Sequence, residues 1–164
     1  MEHLYAPKRN MMQNNTSMKK TNDCTFCTIS EEADKHEHLL YRDEICFVVM
    51  NLYPYSTGHI LIIPHKHIIS ITELESSEWL HISSIVQKMT KLLNDILKTE
   101  HINIGINING FAGASIKDHL HIHILPRYKG DTNFMTALFD TRIYSNDFWE
   151  VHKKLKENIG NYLP

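Results

Sequence analysis

The sequence predicts an α+β fold built on a mainly antiparallel sheet. Three observations carry this. Two β-rich apolar runs are joined by a short Pro/Gly turn. A long stretch then repeats apolar residues at spacings of three and four. Finally, two further strand-like runs precede a second helical stretch. The order strand, strand, helix, strand, strand, helix fits helices packed against one sheet.

Each element has its own reason. Glu44–Asn51 is rich in Ile45, Phe47, Val48 and Val49 and reads as a buried strand. Leu52-Tyr53-Pro54-Tyr55-Ser56-Thr57-Gly58 is a turn punctuated by Pro and Gly. His59–Pro64 is a second apolar strand, ended by Pro64. Ser77–Lys98 is the clearest helix, with Leu80, Ile82, Ile85, Met89, Leu92, Leu93 and Ile96 as its core stripe. Ser76 and Ser77 offer N-capping hydroxyls. Ile102–Ile108 alternates Ile with Asn and Gly, the pattern of a half-buried strand. Asn109–Ser115 is a Gly/Ala-rich loop, and His119–Leu125 is a further strand. Asp147–Tyr162 is a C-terminal helix with Phe148, Val151, Leu155 and Ile159 on one side. Residues 1–23 form a polar N-terminal arm, and 24–164 a single folded domain.

Composition narrows the function. The 164 residues are 42% hydrophobic and 22% charged, the balance of a globular chain. Seventeen basic residues against 19 acidic ones leave no basic footprint for nucleic acid. The longest apolar runs, Ile45–Met50 and Ile60–Ile63, are far too short to span a bilayer. No apolar signal-peptide core opens the chain, and three cysteines do not make a disulfide framework. A cytoplasmic protein is expected. The outlier is histidine, at 12 residues.

The histidines concentrate in Asp118-His119-Leu120-His121-Ile122-His123-Ile124-Leu125-Pro126. Strand side chains alternate, so His119, His121 and His123 share one face while Leu120, Ile122 and Ile124 face the core. One metal ion does not fit all three. His119 and His123 lie roughly 13 Å apart along a strand, whereas Zn–N bonds are about 2.0–2.1 Å. Nucleophilic catalysis fits better. A neutral imidazole attacks electrophiles near pH 7, and a flanking histidine binds oxygens or handles a proton. The preceding Asn107-Ile108-Asn109-Gly110-Phe111-Ala112-Gly113-Ala114-Ser115 offers closely approachable amides, a hydroxyl and a carboxamide, which suit a phosphate.

Cys24-Thr25-Phe26-Cys27 is half a zinc site by spacing, or else a redox pair. Zinc needs two more ligands, for which His67 and His119 are candidates. Cys46 lies in an apolar strand and reads as core.

These motifs together resemble the histidine triad family of nucleotide hydrolases and transferases. His119-Leu120-His121-Ile122-His123-Ile124-Leu125 is similar to its defining motif. Gly58-His59-Ile60-Leu61-Ile62-Ile63-Pro64 with His67 resembles its upstream strand. Leu4-Tyr5-Ala6-Pro7-Lys8-Arg9, Ala112–His121 and Gly130-Asp131-Thr132-Asn133-Phe134-Met135 resemble the bacterial branch containing diadenosine polyphosphate phosphorylases and hydrolases. His65 departs from that pattern, in which a lysine commonly follows the strand proline.

The resemblance implies a five-stranded antiparallel sheet, a homodimer, and nucleotidyl transfer from a dinucleoside polyphosphate such as diadenosine tetraphosphate. His121 would be the nucleophile, His123 would contact the α-phosphate or leaving-group side, and His59 would support the triad. Asn51 would lie near the nucleoside, at the ribose of an adenine nucleotide. Asn107, Gly113 and Ser115 would meet phosphate oxygens. Cys24, Cys27, His67 and His119 would bind structural zinc. The alternatives are a purine nucleoside phosphoramidase, or a nucleotide- or zinc-binding module without turnover.

Overall fold

The structure is a computed structural model that describes residues 24–32, 35–108, 112, 116–131 and 146–163. The expected N-terminal arm, Gly113 and Ser115 lie outside the described residues. So do residues 132–145.

In chain order the elements are α1 (Thr25–Glu31), β1 (Leu39–Arg42), β2 (Cys46–Met50), β3 (Ile60–Pro64), α2 (Ser76–Leu97), β4 (Ile102–Ile106), β5 (Ile122–Pro126) and α3 (Phe148–Asn158). Short 3-10 turns at Ile71–Glu73 and Ile159–Asn161 precede α2 and follow α3. The five strands form one sheet in the order β1-β2-β3-β5-β4, every neighbouring pair antiparallel. The α+β fold with a long helix and a C-terminal helix is as expected.

The sheet is buried on both faces at its centre, which explains why β2 and β3 read as unbroken apolar runs rather than alternations. One face sends Val48, Met50, Ile60, Ile62, Ile122 and Ile124 against Ile82, Ile85, Met89, Leu92 and Leu93 of α2 and Val151 and Leu155 of α3. On the other, Phe47, Val49, Leu61 and Ile63 meet Phe26 and Ile29 of α1. His123 pairs with Leu61 and Gly105 across the sheet and so belongs to this second face.

Several elements differ from the sequence reading. The strand expected over His119–Leu125 begins only at Ile122, so His119 and His121 precede it. The register explains this. Ile122 pairs with Ile62, and the next β3 partner two residues on is Pro64, which has no N–H to offer. Those two histidines are also buried, at 1% and 3% exposure, not an open row.

The N-cap of α2 is Glu75, not Ser76 or Ser77. Glu75 and Glu78 make a reciprocal capping box, in which the Glu78 carboxylate accepts the Glu75 N–H at 2.8 Å. Leu80, expected in the core stripe, is 69% exposed. Helix α1 and strand β1 are additions. Each is too short to show a period, and α1 depends on burying Phe26 and Ile29.

The β2–β3 turn is held by Gly58, at φ +79°, where any side chain would collide with Leu97 of α2. Among the described residues no helix is long and apolar enough to cross a membrane.

Candidate active site

The fold converges four histidines at the start of β5 and fixes each imidazole by a different partner. Nε2–H of His119 donates to the main-chain oxygen of Pro64 at 2.9 Å, so Nδ1 carries the lone pair. His121 has the opposite tautomer. Its Nδ1–H donates to the main-chain oxygen of His119 at 2.8 Å, which leaves Nε2 with the lone pair. The rings of His121 and His123 lie 4.8 Å apart, centre to centre.

His123 takes its state from His59. The Tyr55 main-chain N–H donates to Nδ1 of His59 at 3.1 Å, so that nitrogen bears no proton. His59 therefore carries its hydrogen on Nε2, 2.9 Å from Nδ1 of His123, and donates it there. His123 is left with its hydrogen on Nε2, a buried atom with no hydrogen-bond partner among the described residues. Buried donors normally find partners. This one suits an acceptor that enters the site.

Burial keeps these rings neutral. It pushes His59 down to about 3, with further lowering from His123 and His121. It pushes His123 down to about 4, helped by His121. His121 is also lowered by burial, against a partial rise from its bond to the His119 carbonyl. A neutral imidazole has a nucleophilic nitrogen, so the burial supports chemistry at Nε2 of His121.

The environment adds residues that the sequence reading had not singled out. Phe26 places its ring 5.6 Å from His119 and 5.2 Å from His121. Its position between the two cysteines was the available signal. Tyr55 stacks beside His59 at 5.0 Å and over His123 at 6.1 Å. Gly105, the cross-strand partner of His123, would meet nothing within 4 Å among the described residues if it bore a side chain. His65 has work of its own: Nε2–H donates to the Asp43 carbonyl at 2.9 Å, and Nδ1 accepts from the Ser30 hydroxyl at 2.6 Å. It thereby ties α1 to the sheet.

Of the expected nucleotide-contacting residues, Asn51 and Asn107 are half-buried near this face. Asn51 turns its amide to Nδ1 of His59 at 3.2 Å and accepts the Tyr53 N–H at 3.0 Å. Arg127 is taken up by Asp131 and Asn103.

Cys24, Cys27, His67 and His119 come together, with all four ligand atoms within 4.8 Å of one another. Tetrahedral zinc with ordinary bond lengths sets S and N about 3.5 Å apart. The observed separations are 3.3 Å for Cys24–His119, 3.2 Å for Cys27–His67 and 3.6 Å for Cys27–His119. The His119 bond to Pro64 leaves the ligating nitrogen free and holds the ring. The set fits zinc. A second group, Asp43, Cys46 and His81, is already satisfied internally: Asp43 accepts from Ile45, Cys46, Tyr41 and His81.

A five-stranded antiparallel sheet with a histidine cluster at its centre defines a class of domain, and comparison gives the class its name. The HIT domain model matches residues 32–130, and the chain belongs to the histidine triad (HIT) family. It is 29% identical over 118 residues to an AP-4-A phosphorylase of Mycobacterium tuberculosis, spanning 72% of this chain and 60% of that one. It is likewise 29% identical to an asymmetrical bis(5'-nucleosyl)-tetraphosphatase of Schizosaccharomyces pombe, spanning 75% of this chain and 60% of the relative. The chain thus covers under two thirds of both relatives' lengths. A Zn-bound histidine triad family protein from Mycobacterium smegmatis has the same fold, with TM-score 0.69 and 25% identity over 85% of this chain and 94% of that one.

Proposed function

We propose that the protein is an enzyme that transfers a nucleotidyl group through a histidine, acting on dinucleoside polyphosphates such as diadenosine tetraphosphate. The observation that carries this is the tautomer of His121. With Nδ1–H held by the His119 carbonyl, the lone pair of Nε2 is the one available for attack. The neighbouring Nε2–H of His123 is a buried donor without a partner among the described residues.

In this reading Nε2 of His121 attacks the α-phosphorus and forms a nucleotidyl-histidine intermediate. Charge grows on the nonbridging oxygens. Asn107 and the Gly113 and Ser115 loop stabilise it, while the His123 N–H faces the departing oxygen. His59 holds His123. Asn51 keeps one amide hydrogen and one carbonyl lone pair for a ribose hydroxyl. Cys24, Cys27, His67 and His119 would hold zinc, which in a closed four-ligand site supplies a cross-link and no open position for substrate. An adenine nucleotide, a homodimeric state and a cytoplasmic location belong to the same reading. The two curated relatives are named for acting on tetraphosphate-bridged substrates, which supports the substrate class.

The test is chromatography of the products from diadenosine tetraphosphate, with and without inorganic phosphate. Phosphate-dependent ADP plus ATP identifies a phosphorylase, and phosphate-independent AMP plus ATP a hydrolase. No turnover in either arm removes this substrate. Release of AMP from adenosine 5′-phosphoramidate alone would replace it with phosphoramidates.

A further inference from the structure

The hydrogen-bond chain behind His123 has a fixed direction, and that direction constrains what His123 can do. It begins with two N–H groups, from Tyr55 main chain and the Asn51 side chain, aimed at the same nitrogen, Nδ1 of His59, at 3.1 and 3.2 Å. The Asn51 amide is not free to turn over, because its oxygen accepts the Tyr53 N–H at 3.0 Å. A proton on Nδ1 of His59 would face two donors in an interior site, where His59 is 0% exposed. His59 therefore donates through Nε2 to Nδ1 of His123.

We propose that Asn51 and the Tyr55 amide are positioning groups that lock His59, and through it His123, in the Nε2–H form, so that His123 hydrogen-bonds the departing oxygen as a neutral donor and does not protonate it. To become an acid, His123 would need a second proton on Nδ1. That proton would point at the N–H of His59, which cannot reverse without meeting Tyr55 and Asn51. The burial that keeps both rings neutral acts in the same direction.

The chemical consequence rests on the nucleotidyl-transfer reading given above. A bond forms between Nε2 of His121 and the α-phosphorus. The bond from phosphorus to the bridging oxygen breaks, and its electron pair leaves with that oxygen. No proton moves in this step. His121 keeps its Nδ1–H on the His119 carbonyl and carries positive charge in the intermediate. Such a site favours leaving groups that are stable as anions, the phosphates released from a phosphoanhydride. It disfavours amines and alkoxides, which need a proton to depart.

Two measurements test this. The first is nitrogen NMR of 15N-histidine-labelled protein at pH 7, with His59→Gln and His123→Gln used for assignment. Expected are a protonated Nε2 and bare Nδ1 on both rings. A protonated Nδ1 on either ring overturns the proposal. In Asn51→Asp, which replaces the donor by an acceptor, Nδ1 of His59 should gain a proton; an unchanged spectrum removes Asn51 from the lock.

The second is the rate on a series of aryl esters of adenosine 5′-phosphate with phenols of graded acidity. Wild-type kcat/KM should fall steeply as the phenol becomes less acidic, and the slope should flatten in Asn51→Asp. A flat wild-type slope overturns the proposal. An Asn51 that only binds ribose would raise KM equally across the series and leave the slope unchanged, which also overturns its part. If no ester or polyphosphate turns over, nucleotidyl transfer itself fails, while the nitrogen spectra still decide the lock.

Discussion

The Nδ1–H of His121 donates to the main-chain carbonyl of His119, two residues earlier and 2.8 Å away. The residue whose ring joins the candidate metal set thus offers its backbone to the proposed nucleophile. Asparagine at position 121 would keep a side-chain N–H for that carbonyl while removing the nucleophilic nitrogen. His121→Asn should fold normally and still bind nucleotide, with turnover of diadenosine tetraphosphate reduced by about a thousandfold or more. Steady-state rates beside nucleotide titration check this; substantial residual turnover would remove His121 as the nucleophile.

Phe26 touches both rings and lies 4% exposed. Phe26→Ala should lower stability by about 3–5 kcal/mol through the cavity it leaves. Phe26→Leu, which leaves a smaller cavity, should cost less than the alanine change yet slow turnover, because the flat ring beside His121 is gone. Urea unfolding and kcat, measured together, separate the two effects.

The metal set predicts stoichiometric zinc in the purified protein and its loss in Cys27→Ser. Burial, then the hydrogen bond and charge of Cys24, raise the Cys27 thiol to about 11. Zinc binding must displace thiol protons, so adding zinc to the chelator-treated protein should release roughly two protons at pH 7. Metal analysis and calorimetry in buffers of different ionisation enthalpy read both results. Zinc retained at full affinity in Cys27→Ser would move the ligand set elsewhere.

Acid should destabilise the protein over a defined window. Burial lowers His38 to about 4, with help from His36 and His152, and lowers His59 and His123 to about 3 and 4. The unfolded histidines titrate near the ordinary 6.5. Below that value the unfolded chain binds protons that the folded one refuses, so stability is full above about pH 6.5 and falls as pH drops toward 4. For His59 the slope is at most about 1.4 kcal/mol per pH unit. Urea unfolding at pH 7, 6 and 5 measures it, and His59→Gln should flatten the curve if it folds.

The central strands were legible as unbroken apolar runs rich in β-branched residues, and the long helix and the histidine row because each rests on local periodicity. Ile82, Ile85, Met89, Leu92 and Leu93 are all core, as their spacing requires. Leu80 was misread because the same spacing cannot say how far the stripe extends around the helix. The Cys-x-x-Cys spacing pointed to metal, and the fold brought His67 and His119 to it. The tautomers were not legible. They are set by single hydrogen bonds that no periodicity reveals, to main-chain groups two residues away for His121, four for His59 and 55 for His119. Nor was the burial of His119 and His121, since alternation separates two faces without saying which of them another element covers.

Helix α1 has seven residues and no side-chain cap, too little to persist alone. Its anchors are Cys27 to His67, 40 residues on, Ser30 to His65, 35 on, and Cys24 to His119, 95 on. Every one of them closes a long loop, and such closures come late because their entropy must be met before the contact returns anything. During refolding, then, α2 and the local β2–β3 and β4–β5 pairs should form before the cysteine-bearing helix docks. The proposed catalytic site, which shares Phe26 and His119 with that helix, would be the last part of the molecule to mature.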